Sequence, residues 1–175
     1  MDLIRIGGKL ISRQRIASRV ERVLDMRAQG KSQQDVANEL GLDRVWISRL
    51  ESLGEVRKGG RLALIGFPIA NTDELKKVAI ANGVEFCLLL NDRERWAWAD
   101  EYSGAAVLNR LMELISEIKQ YDTLIFLGSD MRIRLMEAIL GSEMVVGVEI
   151  GTSPINEDKY ISPTVLQQLI LNLKG

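Results

Sequence analysis

Apolar positions follow two different rhythms along the chain. Between residues 12 and 50 they recur three or four apart: Ile16, Val20, Val23 and Leu24 form one stripe, and Val36, Leu40, Leu42, Ile47 and Leu50 form a second. A period near 3.6 residues marks helices that bury one face. The spacing predicts a helix from about Ser12 to Gln29, closed by Gly30, and two shorter helices on either side of Gly41. Upstream, LIRIGGKLIS sets two short β-prone runs around Gly7-Gly8 and predicts a hairpin. Two strands alone are marginal, so this hairpin is expected to pack on the helices, on the second domain or on a partner subunit.

Beyond residue 61 the rhythm changes. RLALIGF, VEFCLLL, TLIFLG and MVVGVEI are short continuous apolar runs, and helical stripes separate them. Asn71-x-x-Glu74 opens a helix with Leu75, Val78 and Ala79 inward, stopped at Gly83. A longer segment with Trp96 and Trp98 leads into a helix from about Ser103 to Gln120, whose apolar face is Val107, Leu108, Leu111, Leu114, Ile115 and Ile118. Ser129 or Asp130 caps a helix holding Ile133, Met136, Ile139 and Leu140, which Gly141 ends. The last helix opens at Ser162-Pro163 and carries Val165, Leu166, Leu169, Ile170 and Leu173. Unbroken apolar strands alternating with helices predict a parallel sheet covered on both faces, with right-handed crossovers. The fold class is therefore α/β: an N-terminal helical domain over 1–53, a Gly-rich basic linker over 54–61, and a small three-layer domain with a mostly parallel four-stranded sheet over 62–175. This second domain resembles Rossmann-like and flavodoxin-like domains in layout.

The stretch QQDVANELGLDRVWISRLE, from Gln33 to Glu51, carries the sharpest local signal. Small Ala37 lets two helices approach, and Gly41 can take the positive φ that ends the first of them. The spacing is that of a DNA-binding helix-turn-helix. It resembles regulators of the XRE class, the Cro and phage-repressor type: Gln33, Ala37, Gly41, Leu42, Ile47, Arg49 and Glu51 stand where that class favours such residues. The class continues into further helices, whereas this chain turns to Gly and basic residues by Gly54, so a reduced bundle of about three helices is expected. The resemblance implies double-stranded DNA as partner, read by the second helix. An ordinary packed helical hairpin is the alternative.

Arg44, Val45, Ser48 and Arg49 project opposite Ile47 and Leu50 and are the base-contact candidates. Arginine donates two hydrogen bonds to guanine, and valine can meet a thymine methyl. A surface ion pair is the alternative role of Arg49. Lys31, Gln33, Gln34, Ser52, Arg57 and Lys58, with Arg61, are the phosphate candidates; the resembled class places its Gln33 equivalent on the DNA backbone. Ser32 and Asp43 read as helix N-caps, Ser32 with a partial capping arrangement through Asp35. Trp46 is expected to bury at the bundle's edge, with a rest against sugar-phosphate as the alternative. The arginines before the motif, Arg13, Arg15, Arg19, Arg22 and Arg27, read mainly as a solvated face paired with Glu21 and Asp25, with phosphate contact by some of them as the alternative.

Charge sharpens this division. Residues 1–61 hold 13 Lys/Arg against 8 Asp/Glu, a balance of +5, and residues 62–175 hold 10 against 16, a balance of −6. A basic front and an acidic back fit a DNA-binding module joined to a part that stays off DNA. With 46% apolar and 27% charged residues the composition is that of a globular chain, and no apolar run approaches the ~18 residues of a membrane helix, so a cytoplasmic protein is expected. Cys87, the single cysteine, lies in an apolar run and reads as a structural thiol; no disulfide, metal or cofactor is expected. Histidine is absent, which removes imidazole bases and metal ligands and weighs against an enzyme.

In α/β sheets ligands settle at the carboxyl ends of the strands. Here those ends supply Gly66, then Asn91 and Asp92, then Gly128, Ser129 and Asp130, then Thr152 and Ser153, a candidate ligand rim for an unidentified small-molecule effector. Neither a GxGxxG fingerprint nor a Walker A loop backs a nucleotide, and turn chemistry alone explains such residues equally well. Trp96 and Trp98, beside Arg93 and Arg95, are expected at a domain interface, with closure over a ligand as the alternative. Three functions compete: a dimeric sequence-specific transcriptional regulator, which the motif and charge favour; an α/β enzyme with an attached DNA-binding module, using Asp92, Ser129, Asp130 or Ser153; and a protein-interaction adaptor.

Overall fold

A computed structural model describes residues 3–56, 59–101 and 104–175, and in it the chain divides into two compact units, Met1–Glu55 and Val56–Gly175. In the first unit β1 (Leu3–Ile6) pairs antiparallel with β2 (Lys9–Ser12), and the chain reverses across Gly7-Gly8. Three helices follow: α1 (Arg13–Ala28), α2 (Gln33–Leu40) and α3 (Arg44–Leu53). Each starts on a side-chain cap that satisfies an orphan amide. Ser12 Oγ accepts from Arg15 N, Ser32 and Asp35 form a complete reciprocal capping box, and Asp43 accepts from the amides of Val45 and Trp46. Gly41 ends α2 in the left-handed conformation, φ 62° and ψ 41°, and Leu42 N then donates to Ala37 O at 2.9 Å.

Val23, Met26, Val36, Ala37, Leu40 and Ile47 form the core of this unit, with Leu42 and Leu50 packed against them. The expected α1 stripe is buried only in its C-terminal half: Val23 is covered, whereas Ile16 and Leu24 are exposed. The hairpin also leaves Leu3, Ile6 and Leu10 exposed within the single chain.

The second unit runs β3 (Leu62–Gly66), α4 (Thr72–Ala81), β4 (Val84–Leu89), α5 (Asp92–Asp100), α6 (Ala105–Ile118), β5 (Thr123–Ser129), α7 (Asp130–Leu140), β6 (Val145–Gly151) and α8 (Pro163–Lys174). The strands are all parallel in the order β4-β3-β5-β6. The chain steps from β3 outward to β4 and then crosses back to β5, which puts the topological switch point between β3 and β5. Alternate strand residues feed two cores, as the pleat requires. Leu62, Leu64, Ile125 and Leu127 pack with Leu75, Ala79, Leu166 and Ile170 of α4 and α8. Ala63, Ile65, Leu124 and Phe126 pack with Ile118 of α6 and with Ile133 and Met136 of α7.

Several expectations need correction here. The Trp96–Trp98 segment is helix α5, opened by an Asn91–Glu94 capping box, and not a connection. The start expected for α6 at Ser103 lies outside the described residues. Asn71 does not cap α4 with its side chain; its amide instead binds both the carbonyl and the amide of Ile161, at 2.9 and 3.1 Å. Leu108, placed on the apolar face of α6, is exposed, as is Val165 on α8, whose stripe is expected to pack on the sheet or on another subunit. Gly59 N donates to Leu173 O at 2.6 Å, so the end of the linker is anchored to α8. Arg61 belongs to this unit as well: it pairs with Glu85 at 2.8 Å, donates its amide to Asp122 at 2.7 Å and covers the Tyr121 ring, so its guanidinium is engaged within the unit.

Cys87 lies half-buried on β4, and burial pushes its thiol up to about 11, which leaves it an inert packing residue at neutral pH. Among the described residues no helix is long and apolar enough to cross a membrane.

Candidate functional site

The outward face of α3 is the first candidate. Ile47 is fully buried and Leu50 half-buried, and this turns Arg44, Val45 and Arg49 to solvent with Ser48 at the margin. Neither Arg44 nor Arg49 has a hydrogen bond or ion pair among the described residues, so the surface pair considered for Arg49 is not formed. The carboxylates of the same stretch are all engaged. Asp35 closes the capping box, Glu39 binds Lys31 at 2.5 Å, Asp43 caps α3, and Glu51 is held from two sides.

Glu51 ties the three helices together. Its Oε1 accepts from Arg27 Nε of α1 at 2.5 Å, its Oε2 accepts from Gln33 Nε2 of α2 at 2.7 Å, and Arg27 also donates to the Lys31 carbonyl. Gln33, expected on phosphate, thus has its amide nitrogen engaged in an internal lock. The other phosphate candidates make weaker local contacts: Gln34 to Asn38 at 3.0 Å and Ser52 to the Ser48 carbonyl at 3.1 Å. Arg57 and Lys58 lie outside the described residues.

The donors around Glu51, Arg27 first and then Gln33, hold its carboxyl below the ordinary 4.5. A depressed folded pKa stabilises the fold above the unfolded value and loses that stabilisation as pH falls through the folded one. Acid titration is therefore expected to loosen α1 against α3 below pH 4.5, with Glu51→Gln showing a smaller acid response. Amide exchange along these helices reads the effect.

On α1, Arg15, Arg19 and Arg22 line a shallow basic surface with Ser12 and Ser18. Among the described residues they make no pair with Glu21 or Asp25, contrary to the intrahelical pairing expected. Trp46 is 39% exposed, also contrary to expectation, because it precedes buried Ile47 and so points about 100° away from the seam.

In the α/β unit the expected rim residues stand at the strand ends, but most of their polar groups are bound within the chain. Gly66 and Gly128 answer to packing: a Cβ would lie 2.9 Å from Leu127 and Leu89 at the first and 2.5 Å from the Phe126 ring at the second. Asn91 caps α5, the Asp92 amide donates to Asp158 at 2.6 Å, and Asp130 accepts from Ser153 N at 3.0 Å. The Ser153 and Met131 amides keep the Asp130 carboxyl below its usual range. Ser129 is buried with no partner for its Oγ, and Thr152 is exposed. Residues 152–162 lie along this edge, with Lys159 bonded to Pro68 O and Ala70 N.

Beside the rim, between the sheet and α5, α6 and α7, lies a cavity of about 340 Å³. Ile65, Phe67 and Phe126 form its floor, Leu114 and Ile115 of α6 and Met136 of α7 its sides, and Trp98 part of its wall. Two cations enter this apolar space. Arg132 stacks on Phe67 with its guanidinium carbon 5.0 Å from the ring centre, and Arg95 binds Asp92 through Nη2 while lying over Trp96. The Nη1 of each arginine is buried without a hydrogen-bond partner among the described residues. Burial, and then the charge of Arg95, pull Arg132 below its ordinary pKa.

The chain matches no family model, no curated protein and no solved structure. The functional reading rests on the two sites themselves. Trp96, expected at an interface or over a ligand, is 58% exposed. Arg132 escaped sequence reasoning altogether, since a single arginine beside an apolar stripe gives no signal until Phe67, 65 positions away, is folded against it.

Proposed function

We propose that the protein is a sequence-specific DNA-binding transcriptional regulator, dimeric through its α/β unit. The observation that carries the reading is the asymmetry on α2 and α3: Asp35, Glu39, Asp43 and Glu51 are all neutralised or capped, whereas Arg44 and Arg49 point outward with no partner. A positive helix face so prepared suits the major groove, where Arg44 and Arg49 bind guanine edges and Val45 meets a thymine methyl. Gln34, Ser52 and the α1 arginines that make no pair among the described residues, Arg15, Arg19 and Arg22, bind phosphates, while Lys31 stays with Glu39. Gln33 stiffens the unit through Glu51, and the acidic second unit keeps clear of DNA.

Dimerisation has its own support. On α6 Leu108 is 61% and Met112 59% exposed, four residues apart on one helix face; on α7 Met131 and Leu135 repeat the pattern. Apolar stripes on two helices covering the same sheet face suit a second copy. Reading two half-sites one turn of DNA apart requires the two recognition helices of a dimer to stand about 34 Å apart. Leu108→Glu with Leu135→Glu is expected to give a monomer in sedimentation at micromolar concentration. A wild-type chain that already sediments as a monomer there removes the dimer from the reading.

The deciding experiment is selection from a random DNA pool by the full chain. Enrichment of a roughly palindromic sequence with half-sites one helical turn apart is the expected result. A pool that stays random after repeated rounds overturns the proposal.

A further inference from the structure

The cavity of the α/β unit combines features that a finished core avoids. Its walls are apolar side chains, yet two guanidinium groups reach it with Nη1 atoms that are buried and have no acceptor among the described residues. Charged donors left unsatisfied out of water are unfavourable, and native folds seldom keep them without a purpose. Two arginines close enough for one to depress the other also repel. Asp92 is bonded to Nη2 of Arg95 and also attracts Arg132, but it is one carboxylate against two guanidinium groups, so the cluster of Arg95, Arg132 and Asp92 retains one net positive charge.

Neither arginine is free to swing out of the way without breaking an interaction that holds it. Arg132 is stacked on Phe67, and Arg95 is held between Asp92 and Trp96. Their open donors are therefore fixed in place, as preorganised recognition requires. The position is also the one topology favours, beside the switch point between β3 and β5 and next to the carboxyl ends of the strands. At about 340 Å³ the space stands at the small end of ligand pockets, room for an acyl chain or a ring system and too little for a dinucleotide.

We infer that this cavity binds one small amphipathic anion, a carboxylate on an apolar chain or ring. The carboxylate accepts from the Nη1 groups of Arg95 and Arg132, and the tail lies along Leu114, Ile115 and Met136 between the sheet and the helices. A neutral ligand leaves both donors unsatisfied, and a cation adds to the repulsion, so the head group decides affinity. Trp98, in the cavity wall, senses occupancy. The site supplies the effector class for the regulator proposed above and can be tested without DNA.

The test titrates the full chain carrying Trp46→Phe and Trp96→Phe, which leaves Trp98 as the one tryptophan, with decanoate, 1-decanol and decyltrimethylammonium. Calorimetry is run alongside on the unaltered protein. Decanoate is expected to bind one per chain, to shift Trp98 emission, and to bind at least tenfold more tightly than decanol, with the cation weakest. Arg132→Met keeps an apolar side chain and is expected to bring decanoate down to the affinity of decanol without loss of decanol binding. Equal affinities for the three probes on unaltered protein overturn the inference, as does absence of binding by all three; neither result depends on how a variant folds. Decanoate binding with no sequence selected from the DNA pool leaves this site standing and removes the regulator reading. A selected sequence with no decanoate binding does the reverse.

Discussion

Replacing Arg44 and Arg49 together with alanine is expected to lower affinity for the selected operator by roughly 30-fold at the least, since each bidentate arginine–guanine pair is worth about 1–3 kcal/mol. Both side chains are exposed and unpartnered, so their removal breaks no internal bond and should leave the three-helix unit folded. Affinity for random-sequence DNA falls far less, because base contacts specify while phosphate contacts position. The opposite pattern belongs to α1. Arg19→Ala with Arg22→Ala is expected to weaken operator and random DNA alike and to flatten the salt dependence by about one unit for each phosphate no longer neutralised. Competition titrations at fixed ionic strength separate the two patterns. Operator binding untouched by removal of Arg44 and Arg49 means that α3 does not read bases.

The parts of this molecule that are legible in its sequence are those set by local chemistry. The four strands announce themselves because they form continuous apolar runs, and Ser32, Gly41 and Asp43 announce the two ends of α2 and the start of α3 because capping and positive φ depend on neighbours within four residues. Periodicity reveals a helix face but not its cover. Ile16, Leu24 and Leu108 have the right spacing, and nothing in the spacing says that the rest of the chain leaves them bare. Helix α5 is hard to see because DRERWAWAD has no apolar stripe, although its Asn91–Glu94 capping box is there to be read. The site residues divide in the same way. Exposure of Arg44 and Arg49 follows from the helical period, whereas the Gln33–Glu51 lock spans 18 positions and the Arg132–Phe67 stack spans 65. Residues 152–162, without any periodic pattern, give no warning that they satisfy the polar groups of Asn71, Asp92 and Asp130.

Ile47→Ala is expected to unfold the first unit while the α/β unit stays intact. Ile47 is the one fully buried side chain of α3, and the cluster it joins contains residues of α1 and α2 as well, so its truncation opens a cavity among all three helices. Cutting back a buried isoleucine this far costs about 2–5 kcal/mol. A unit of some 55 residues has little to spare: at roughly 0.05–0.15 kcal/mol per residue its whole stability is about 3–8 kcal/mol. The cores of the α/β unit share no residue with this cluster. Amide exchange should therefore show protection lost over 13–53 and kept in β3 and β5. Exposed Val45→Ala, on the same helix, should change stability by no more than about 0.5 kcal/mol. Functionally, Ile47→Ala is expected to abolish operator and random-DNA binding together, where the arginine pair is expected to separate them, and to spare decanoate binding, whose proposed cavity belongs to the other unit. Simultaneous loss of protection in both units, or a first unit that keeps its full protection, refutes the assignment of Ile47 as the centre of a separate small core.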